Sequence, residues 1–568
     1  MYQFENWLHF ELDQARDARV VDEAFQGDFF DLPLLGPKAG GTFLRLGPAY
    51  YYLQYASGLV FGDTPSGVAF FVPILSLLAI VAVYLLFRRG FALYESLALT
   101  LLFTVSVYVV LYGRFAWNPN LLIFFIPVGL YALLRVVDRG EQFKGRWFLA
   151  ALFFLTLATQ FHFLAFLALP VITAVFLLLK RPIFSWKYWV SGLVIALVLY
   201  SPMMLNEWAA GFTNTQEFLG AITEKSSKEN HTFLEKLVRN TTEYAEHGII
   251  ILTGFEGATM PAVIIEPGEF GTVCDAKCDK GKWYGIAGLI LFGLSFLALL
   301  RTRFKEAKGN ARQADFHDLI LIWLVVSFLI FFPLSYGTAP RFYLLVTPVF
   351  FILLGILLKN IAFFLPPKAR MTFFLGGVLV FVLLNLAFLH IRFDELNRAS
   401  TEQVESKPDR ILKEQIRVTL EQQRAVVAHF KERQKTSGYP IYMFSDPQYR
   451  RALKYLLERE GVQNDVLGFS GIYQEGEYYL VLRQRSDYEA VLRKYLESYV
   501  VKSQQSFGTL TVFELTPKPE KIQGVRQDFS IVEKPADSKA PPRYTWREFF
   551  ANQNTADEDD TEIDEQDN

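Results

Sequence analysis

Cysteine, histidine and methionine are scarce in this chain of 568 residues, which holds only two, seven and six of them. Two cysteines exclude a four-thiolate zinc or iron–sulfur site, and no His–Cys cluster accompanies them. A basic excess is also missing: 56 Lys and Arg stand against 58 Asp and Glu, for a formal net charge of −2. That excludes the electrostatic footprint of a nucleic-acid binder. Acids are nearly absent from the central parts of the long apolar runs, and no internal repeat is visible. Both absences weigh against a transporter or lipid flippase, which tends to show repeats and charged or broken helices at the midplane.

What the chain has in quantity is apolar sequence: 52% of residues are hydrophobic and 16% aromatic. From Ser66 to Arg392 the apolar runs approach the ~20 residues that cross a bilayer as helix. About ten helices are predicted, at 67–87, 93–112, 119–137, 147–162, 163–179, 187–205, 283–300, 317–335, 340–358 and 371–391. Polar Gln160 and His162 interrupt 147–179, so that stretch is two short helices or one broken one. One set of connecting loops carries Arg88, Arg89, Arg135, Arg139, Lys144, Arg146, Lys180, Arg181, Lys187, Arg301, Arg303, Lys305, Lys308, Arg312, Lys359, Lys368 and Arg370. The alternate set carries only Arg114 and Arg341. The positive-inside rule makes the first set cytoplasmic.

Residues 1–65, the loop 207–282 and everything after about 393 then lie outside the cytoplasmic (inner) membrane. The fold class is a polytopic α-helical membrane protein with a C-terminal extracytoplasmic α/β domain. In an oxidising outer compartment Cys274 and Cys278 are expected to form a local disulfide. An even number of spans places the first 65 residues outside, yet they hold no signal peptide and no leading apolar helix. The expectation is that one more helix precedes Met1.

Residues 11–26 are expected to form a short helix on the membrane surface, with Asp13 and Asp17 on one face and Arg16 close to both. Leu35-Gly36-Pro37-Lys38 and Leu46-Gly47-Pro48-Ala49-Tyr50-Tyr51-Tyr52 follow. Their Gly-Pro pairs mark turns, and the tyrosines suit the headgroup region. The string Asp13-Gln14-Ala15-Arg16-Asp17-Ala18 and then Gly47-Pro48 resembles the first outer loop of GT-C fold glycosyltransferases. More narrowly it resembles family 39, the protein mannosyltransferase and aminoarabinose transferase group. Tyr112-Gly113-Arg114-Phe115-Ala116-Trp117-Asn118-Pro119-Asn120, Gln160-Phe161-His162 and Arg341-Phe342-Tyr343 with Pro348 resemble later signatures of that group. The chain departs from the pattern in having Asp13-Gln14 for Asp-Glu and Leu46-Gly47-Pro48 for Lys-Pro-Pro. The second departure removes a basic residue that often faces the donor phosphate, with Arg45 or Lys38 as substitutes.

The resemblance implies a transferase that takes sugar from a polyprenyl-phosphate donor, since nucleotide sugars are scarce outside the cytoplasm. Such an enzyme needs an apolar groove between helices, open to the membrane lipids, a cation for the phosphate and a base for the acceptor. A carboxylate within hydrogen-bond reach of the acceptor can take its proton. The resemblance and its outer position give that role to Asp13, with Asp17 as the alternative, and ordinary surface charges as the other reading of both. One base and direct displacement predict inversion at the anomeric carbon.

Arg114 and Arg341 are the candidate phosphate partners, or else interfacial anchors for helix ends. His162 and Gln160 are ligand contacts or bonds between helices. Asn118 is expected to cap the 119–137 helix, with sugar contact as the alternative. Tyr50, Trp117 and Tyr343 complete the expected substrate contacts. No cofactor is demanded, although outer acids and the donor phosphate could together hold a divalent metal. The acceptor, whether protein, lipid or glycan, stays open. So does a rival reading as a polymerase or ligase of lipid-linked surface glycans.

In the loop 207–282, the stretch 232–246 is amphipathic and is expected on the bilayer surface, as a lid, an acceptor platform or an ordinary loop. Asn230 and Asn240 sit in N-x-Thr sequons. Residues 394–435 read as helical. Strands around 439–444, 478–482, 498–503 and 509–515 alternate with helices at 447–460 and 486–498, giving an α/β domain over 393–517 without a nucleotide-binding glycine loop. The last 51 residues, 518–568, lose apolar periodicity, end in an acidic run at 557–565 and are expected to be disordered.

Overall fold

Side chains of Leu, Phe, Val and Ile in unbroken runs can face only one another or lipid, and in lipid the backbone must satisfy itself as helix. In the computed structural model, which describes residues 2–39, 44–223, 231–266, 269–274, 276–306, 311–404, 409–412, 418–466, 471–484, 488–527, 529 and 542–551, each expected span coincides with helix. Two helices, α1 (Leu12–Gln26) and α2 (Ala49–Phe61), precede the bundle. The bundle begins with α3 (Pro65–Ala69), α4 (Phe71–Phe87), α5 (Leu93–Val105) and α6 (Val107–Tyr112). It continues through α7 (Leu122–Val137), α8 (Lys144–Thr159), α9 (Phe163–Lys180) and α10 (Trp186–Ala209). After α11 (Thr213–Thr223) and α12 (Phe233–Thr253) comes a hairpin, β1 (Ala262–Glu266) with β2 (Glu269–Val273). It closes with α13 (Ala276–Glu306), α14 (Ala311–Phe331), α15 (Thr347–Ala362) and α16 (Pro367–Ala399).

Among the described residues seven helical spans are long and apolar enough to cross a membrane, and α5 and α15 are shorter apolar helices. This is a multi-pass membrane protein. Exposed Trp189, Val190, Leu193 and Val194 on α10, and Leu379, Val380 and Leu383 on α16, form faces suited to lipid. The stretch 147–179 is two helices, broken at Gln160–His162. The break between α5 and α6 is closed by polar bonds to neighbouring helices: Ser106 Oγ donates to the Ile251 carbonyl (2.7 Å), and Val107 N to Asn385 Oδ1 (2.9 Å). On the basic side of the bundle, acids in adjoining segments meet the loop cations, as in Arg89–Asp138, Lys180–Asp315 (2.7 Å) and Lys359–Glu95 (3.2 Å).

The C-terminal domain follows as α17 (Leu420–Ser437), β3 (Ile441–Ser445), α18 (Pro447–Arg459), β4 (Asn464–Asp465), β5 (Glu477–Arg483), α19 (Tyr488–Tyr495), β6 (Tyr499–Phe507) and β7 (Leu510–Pro517). The five strands form one sheet in the order β4-β3-β5-β7-β6, with β3 parallel to β4 and β5, and β7 antiparallel to β5 and β6. Successive side chains alternate between faces. Tyr442, Tyr478, Leu480 and Phe513 build one small core, and Ile441, Met443, Tyr479 and Val481 join the main one.

This domain sits on the same side of the bundle as the N-terminal segment and grips it. Leu420 N donates to the Leu8 carbonyl (3.2 Å), and Gln423 Nε2 donates to the Phe10 carbonyl (2.9 Å). Arg459 pairs with both Asp22 (2.5 Å) and Asp63 (3.1 Å).

Four expectations are corrected. Helix α1 is not laid bare on a membrane surface: it is held between α2 and α18, with Val21 and Ala24 fully buried. The segment 232–246 belongs to α12, which packs into the bundle against α13, α15 and α16. Its Glu243 and Glu246 are buried because Arg239, Thr338 and Arg410 meet them there. Asn240 is likewise buried, donating to the Phe328 carbonyl (2.9 Å), while Asn230 lies outside the described residues. The helical pattern at 394–435 is interrupted after Ala399, where Asp409 turns back to pair with Arg392, and helix resumes at Leu420. Within the tail, residues 546–551 form α20 (Trp546–Ala551), anchored by Arg547 on Asp28 and Asp31; the acidic run 557–565 lies outside the described residues.

Candidate active site

Helix α1 carries the carboxylates. Gln14 closes its start, its Oε1 accepting from Glu11 N (3.2 Å), which leaves Asp13 in the first turn with its side chain 42% exposed. Arg16 lies between the two acids: Nη1 donates to Asp13 Oδ1 (3.0 Å) and Nε to Asp17 Oδ1 (3.0 Å). Asp17 is fully buried and also accepts from the Tyr51 hydroxyl (3.1 Å). Burial pushes its carboxyl up to about 6 against the pull of Arg16, with Asp13 adding to the rise. Asp13 is therefore the acid that faces outward, and Asp17 is enclosed behind Arg16. Tyr50 is fully buried, and burial, then the nearby Asp17 charge, raises its hydroxyl well above the usual phenol range.

A raised folded value means that Asp17 binds more protons folded than unfolded between 3.8 and about 6. The stability of its neutral form is complete below 3.8 and is lost as pH rises through about 6. Asp17→Asn should accordingly match the wild type at pH 4 and exceed it at pH 8, by on the order of 3 kcal/mol, in denaturation followed across pH. A gap that fails to widen with pH would refute the ionised, buried Asp17.

Trp117 joins α1 to the bundle. Its Nε1 donates to Asp13 Oδ2 (3.1 Å), and the Arg341 guanidinium stacks over its ring (5.0 Å) and over Phe342 (5.4 Å). Among the described residues Arg341 makes no hydrogen bond or ion pair, so it offers a half-buried cation with free donors. His162 packs edge-on to Phe342 (5.4 Å), and its Nδ1 accepts from Leu164 N (3.2 Å). Burial, assisted by the Arg341 charge, pushes this imidazole down to about 3. It is neutral, with its proton on Nε2. Contrary to the expectation from sequence, Asn118 does not cap α7. That helix starts at Leu122 after a 3-10 turn, and Asn118 Nδ2 reaches across to the Phe161 carbonyl (2.8 Å).

The two Gly-Pro strings pair with each other. Gly36 N donates to the Leu46 carbonyl (2.7 Å), Leu46 N donates to the Pro37 carbonyl (3.0 Å), and Lys38 faces Arg45 as a bridge pair. A Cβ on Gly36 would sit 2.2 Å from the Gly47 carbonyl oxygen, so the close approach needs glycine. Asn214 holds Arg45 by accepting from its amide (2.7 Å) and donating to its carbonyl (3.1 Å). Beside it is a cavity of ≈ 110 Å³, lined by Phe163, Phe166, Tyr200, Met203 and Phe218 together with Arg45, Asn214 and Thr215. Gln160 has a structural task here, accepting from Ala49 N (3.3 Å) and donating to the Leu199 carbonyl (2.8 Å).

Asp13, Trp117, Arg341 and His162 thus form one group, and Arg45, Lys38, Tyr50 and Gln160 a second, joined to the first through Tyr51, Asp17 and Arg16. Two expected residues stand apart. Arg114 donates to the Tyr2 carbonyl (2.9 Å) and stacks on Phe393 (5.3 Å). Tyr343 is enclosed by Tyr244, His247 and Phe331, so a substrate contact is ruled out for its buried ring in this conformation. Cys274 and Cys278 form the expected disulfide.

Sequence reading missed Tyr51, whose hydroxyl reaches Asp17, and the buried chain Arg239–Glu243, Glu246–Arg410. The i, i+4 spacing of Arg239 and Glu243 was the one legible sign of that chain. Among the described residues no group of three or more His, Cys, Asp and Glu side chains could hold a metal ion.

The same helical arrangement occurs in ArnT from Cupriavidus metallidurans. The structure of ArnT bound to undecaprenyl phosphate aligns with a TM-score of 0.54 and 14% identity, over 90% of this chain and 94% of that one. The apo state of ArnT aligns with a TM-score of 0.52 and 14% identity, over 90% and 95%. This chain has the GT-C fold. The family model for dolichyl-phosphate-mannose-protein mannosyltransferase matches residues 46–205, which run from the second Gly-Pro string to α10. No curated protein matches the sequence. Within the GT-C chain, the residues 46–205 carry Trp117, Asn118, Gln160 and His162, while Asp13 and Arg341 lie outside the matched segment.

Proposed function

We propose that this protein is an inverting glycosyltransferase, moving a sugar from a polyprenyl-phosphate donor to an acceptor at the outer face of the cytoplasmic membrane. The observation that carries this reading is the pairing of an outward-facing carboxylate, Asp13, with the uncommitted Arg341 guanidinium across a shared Trp117 ring. The acceptor hydroxyl or amine attacks the anomeric carbon and gives its proton to Asp13. The bond from that carbon to the phosphate oxygen breaks, and its electron pair leaves with the polyprenyl phosphate. Attack opposite the departing phosphate inverts the centre.

Each neighbouring group has a task in this scheme. Arg16 and the Trp117 indole fix the two oxygens of Asp13 so that one lobe faces the acceptor. Arg341 meets the charge that grows on the leaving phosphate, where a preorganised donor is most effective. Neutral His162, with Nε2–H outward, can donate to a sugar hydroxyl. The apolar cavity beside Arg45 suits the start of a polyprenyl chain with its phosphate at the rim. The outer placement is supported by the distribution of loop cations.

The test supplies purified protein in detergent with a polyprenyl-phosphate sugar and a mixture of hydroxyl and amine acceptors, and follows release of polyprenyl phosphate and the anomeric configuration of the product. Release with inversion is expected. No release with any donor, together with solute uptake by proteoliposomes, would replace the transferase with a transporter.

A further inference from the structure

The basic side of the bundle gathers charge at a place remote from Asp13 and Arg341. Helix α15 begins shortly after Arg341 and runs for 16 residues, about 24 Å, toward that side. Phe363 and Phe364 follow its last turn, their rings edge to face at 5.9 Å and 56% and 72% exposed. Phe304 on α13 and Ile361 on α15 are exposed as well. Three cations converge on the aromatic pair. The Arg301 guanidinium lies over Phe364 (5.5 Å), while Lys305 Nζ (5.1 Å) and the Arg370 guanidinium (5.3 Å) lie over Phe363. Arg301 and Lys305 stand in the last turns of one candidate membrane span, Cys278–Lys305, and Arg370 in the first turn of another, Pro367–Ala399.

Polar bonds fix this arrangement. Asn360 Nδ2 donates to Thr302 Oγ1 (2.9 Å), tying α15 to α13 beside Arg301. Arg370 Nε donates to the Leu365 carbonyl (3.1 Å) and Nη2 to the Phe363 carbonyl (3.1 Å), which holds the guanidinium and leaves Nη1 for another acceptor. Nearby loop cations meet acids, as Arg303 does with Asp318 and Lys359 with Glu95 (3.2 Å). Among the described side chains, Arg301, Lys305 and Arg370 have ring and carbonyl partners and no acid. A ring face attracts an exposed cation only weakly, so it does not offset the repulsion among three like charges. A phosphate does, and a guanidinium fork meets two of its oxygens at once. The exposed Phe304, Ile361 and Phe364 offer apolar contact to hydrocarbon attached to that phosphate. Anion and hydrocarbon side by side, at the level where membrane spans end, describe a phospholipid.

We propose that Arg301, Lys305 and Arg370, with Phe363 and Phe364, form a binding site for an anionic diacyl phospholipid where α13, α15 and α16 meet. A zwitterionic headgroup brings a cation of its own against three others and is disfavoured. In the transferase reading the polyprenyl-phosphate donor reacts at the far end of α15, so the occupant here is membrane lipid and not the donor. The site itself does not depend on that reading.

The experiment is native mass spectrometry of the full-length protein, stripped of lipid in detergent and titrated with phosphatidylglycerol or with phosphatidylcholine of the same chains. Phosphatidylglycerol should bind the wild type more tightly. Lys305→Gln or Arg370→Gln should weaken it by roughly fivefold, and the triple variant Arg301→Gln, Lys305→Gln, Arg370→Gln by about 100-fold, while phosphatidylcholine binds as before. Arg301→Lys, which keeps the charge, should retain most of the binding. Arg370 also braces the turn after α15, whereas Lys305 touches only a ring, so Lys305→Gln keeps the test independent of folding. Thermal unfolding without lipid, followed for each variant, should be unchanged in Lys305→Gln.

Equal binding of the two lipids to the wild type, or unchanged phosphatidylglycerol binding in the triple variant, would overturn the proposal. Equal loss of both lipids would also overturn it, since apolar packing alone would then explain the patch. So would displacement of phosphatidylglycerol by equimolar undecaprenyl phosphate, which would make this a carrier site, or by millimolar inorganic phosphate, which would make it a simple anion site.

Discussion

Asp13→Asn should lower the rate of sugar transfer by about 10²- to 10⁴-fold, the range in which a positioned general base acts. The substitution keeps the size of the side chain but only one of the two oxygens, which the Trp117 indole and Arg16 approach separately at 3.1 and 3.0 Å, so one of these donors loses its acceptor. It removes the basic lone pair, and with it the route for the acceptor proton. Donor binding should be nearly unchanged, because Arg45 and Arg341 are untouched. A loss confined to kcat, with KM for the donor preserved, is therefore the signature, since an interaction made only in the transition state lowers kcat and kcat/KM together. Asp17→Asn gives the contrast. Asp17 is enclosed behind Arg16, so its loss should act through the position of Arg16 and reduce transfer to a smaller extent. Full activity in Asp13→Asn, measured as release of polyprenyl phosphate, would remove Asp13 from the role of base.

Much of the bundle was legible because a bilayer imposes one strong rule, and unbroken apolar runs such as 67–87 and 371–391 obey it. The C-terminal domain was legible for a related reason: its buried strands, such as Glu477–Arg483, are short apolar runs bounded by turn residues. Helix α12 was misread because its first half is amphipathic by composition, and amphipathicity does not reveal whether the polar face meets water or meets Arg410 and Thr338 inside the protein. Asn118 was misread as a cap because Asn-Pro usually opens a helix, whereas here the opening is a 3-10 turn and the amide serves another loop.

At the candidate site, local spacing made the trio Asp13, Arg16 and Asp17 visible. Nothing local distinguished Arg341 from Arg114. Both are lone cations of loops that otherwise carry none, and only the fold turns one toward the Trp117 ring and ties the other to Tyr2. The docking of 542–551, where Leu34 N donates to the Tyr544 carbonyl, Trp546 N to the Leu32 carbonyl and Asn206 Nδ2 to the Pro542 carbonyl, had no signal at all, because these partners are hundreds of residues away.

The second large effect is expected at Arg341. Arg341→Ala should reduce transfer by about 10²- to 10³-fold, the usual consequence of losing one preorganised donor at a centre of growing charge. The expectation follows from what Arg341 lacks: among the described residues no carboxylate pairs with it, so its charge is not consumed by the fold, and its ring contacts hold it in place without using its donors. Arg341→Lys should recover only a fraction of the activity. An ammonium keeps the charge but loses the planar stack on Trp117 and the fork that meets two phosphate oxygens at once.

Trp117 allows the two halves of the site to be separated. Trp117→Phe keeps a ring under Arg341 and deletes the indole N–H that holds Asp13. It should lower kcat while sparing donor KM, whereas Arg341→Ala should change both. If Arg341 only anchored a helix end among headgroups, Arg341→Ala would impair membrane insertion and activity in equal measure. Insertion assayed by protease protection, beside turnover of the polyprenyl-phosphate sugar, decides between the two.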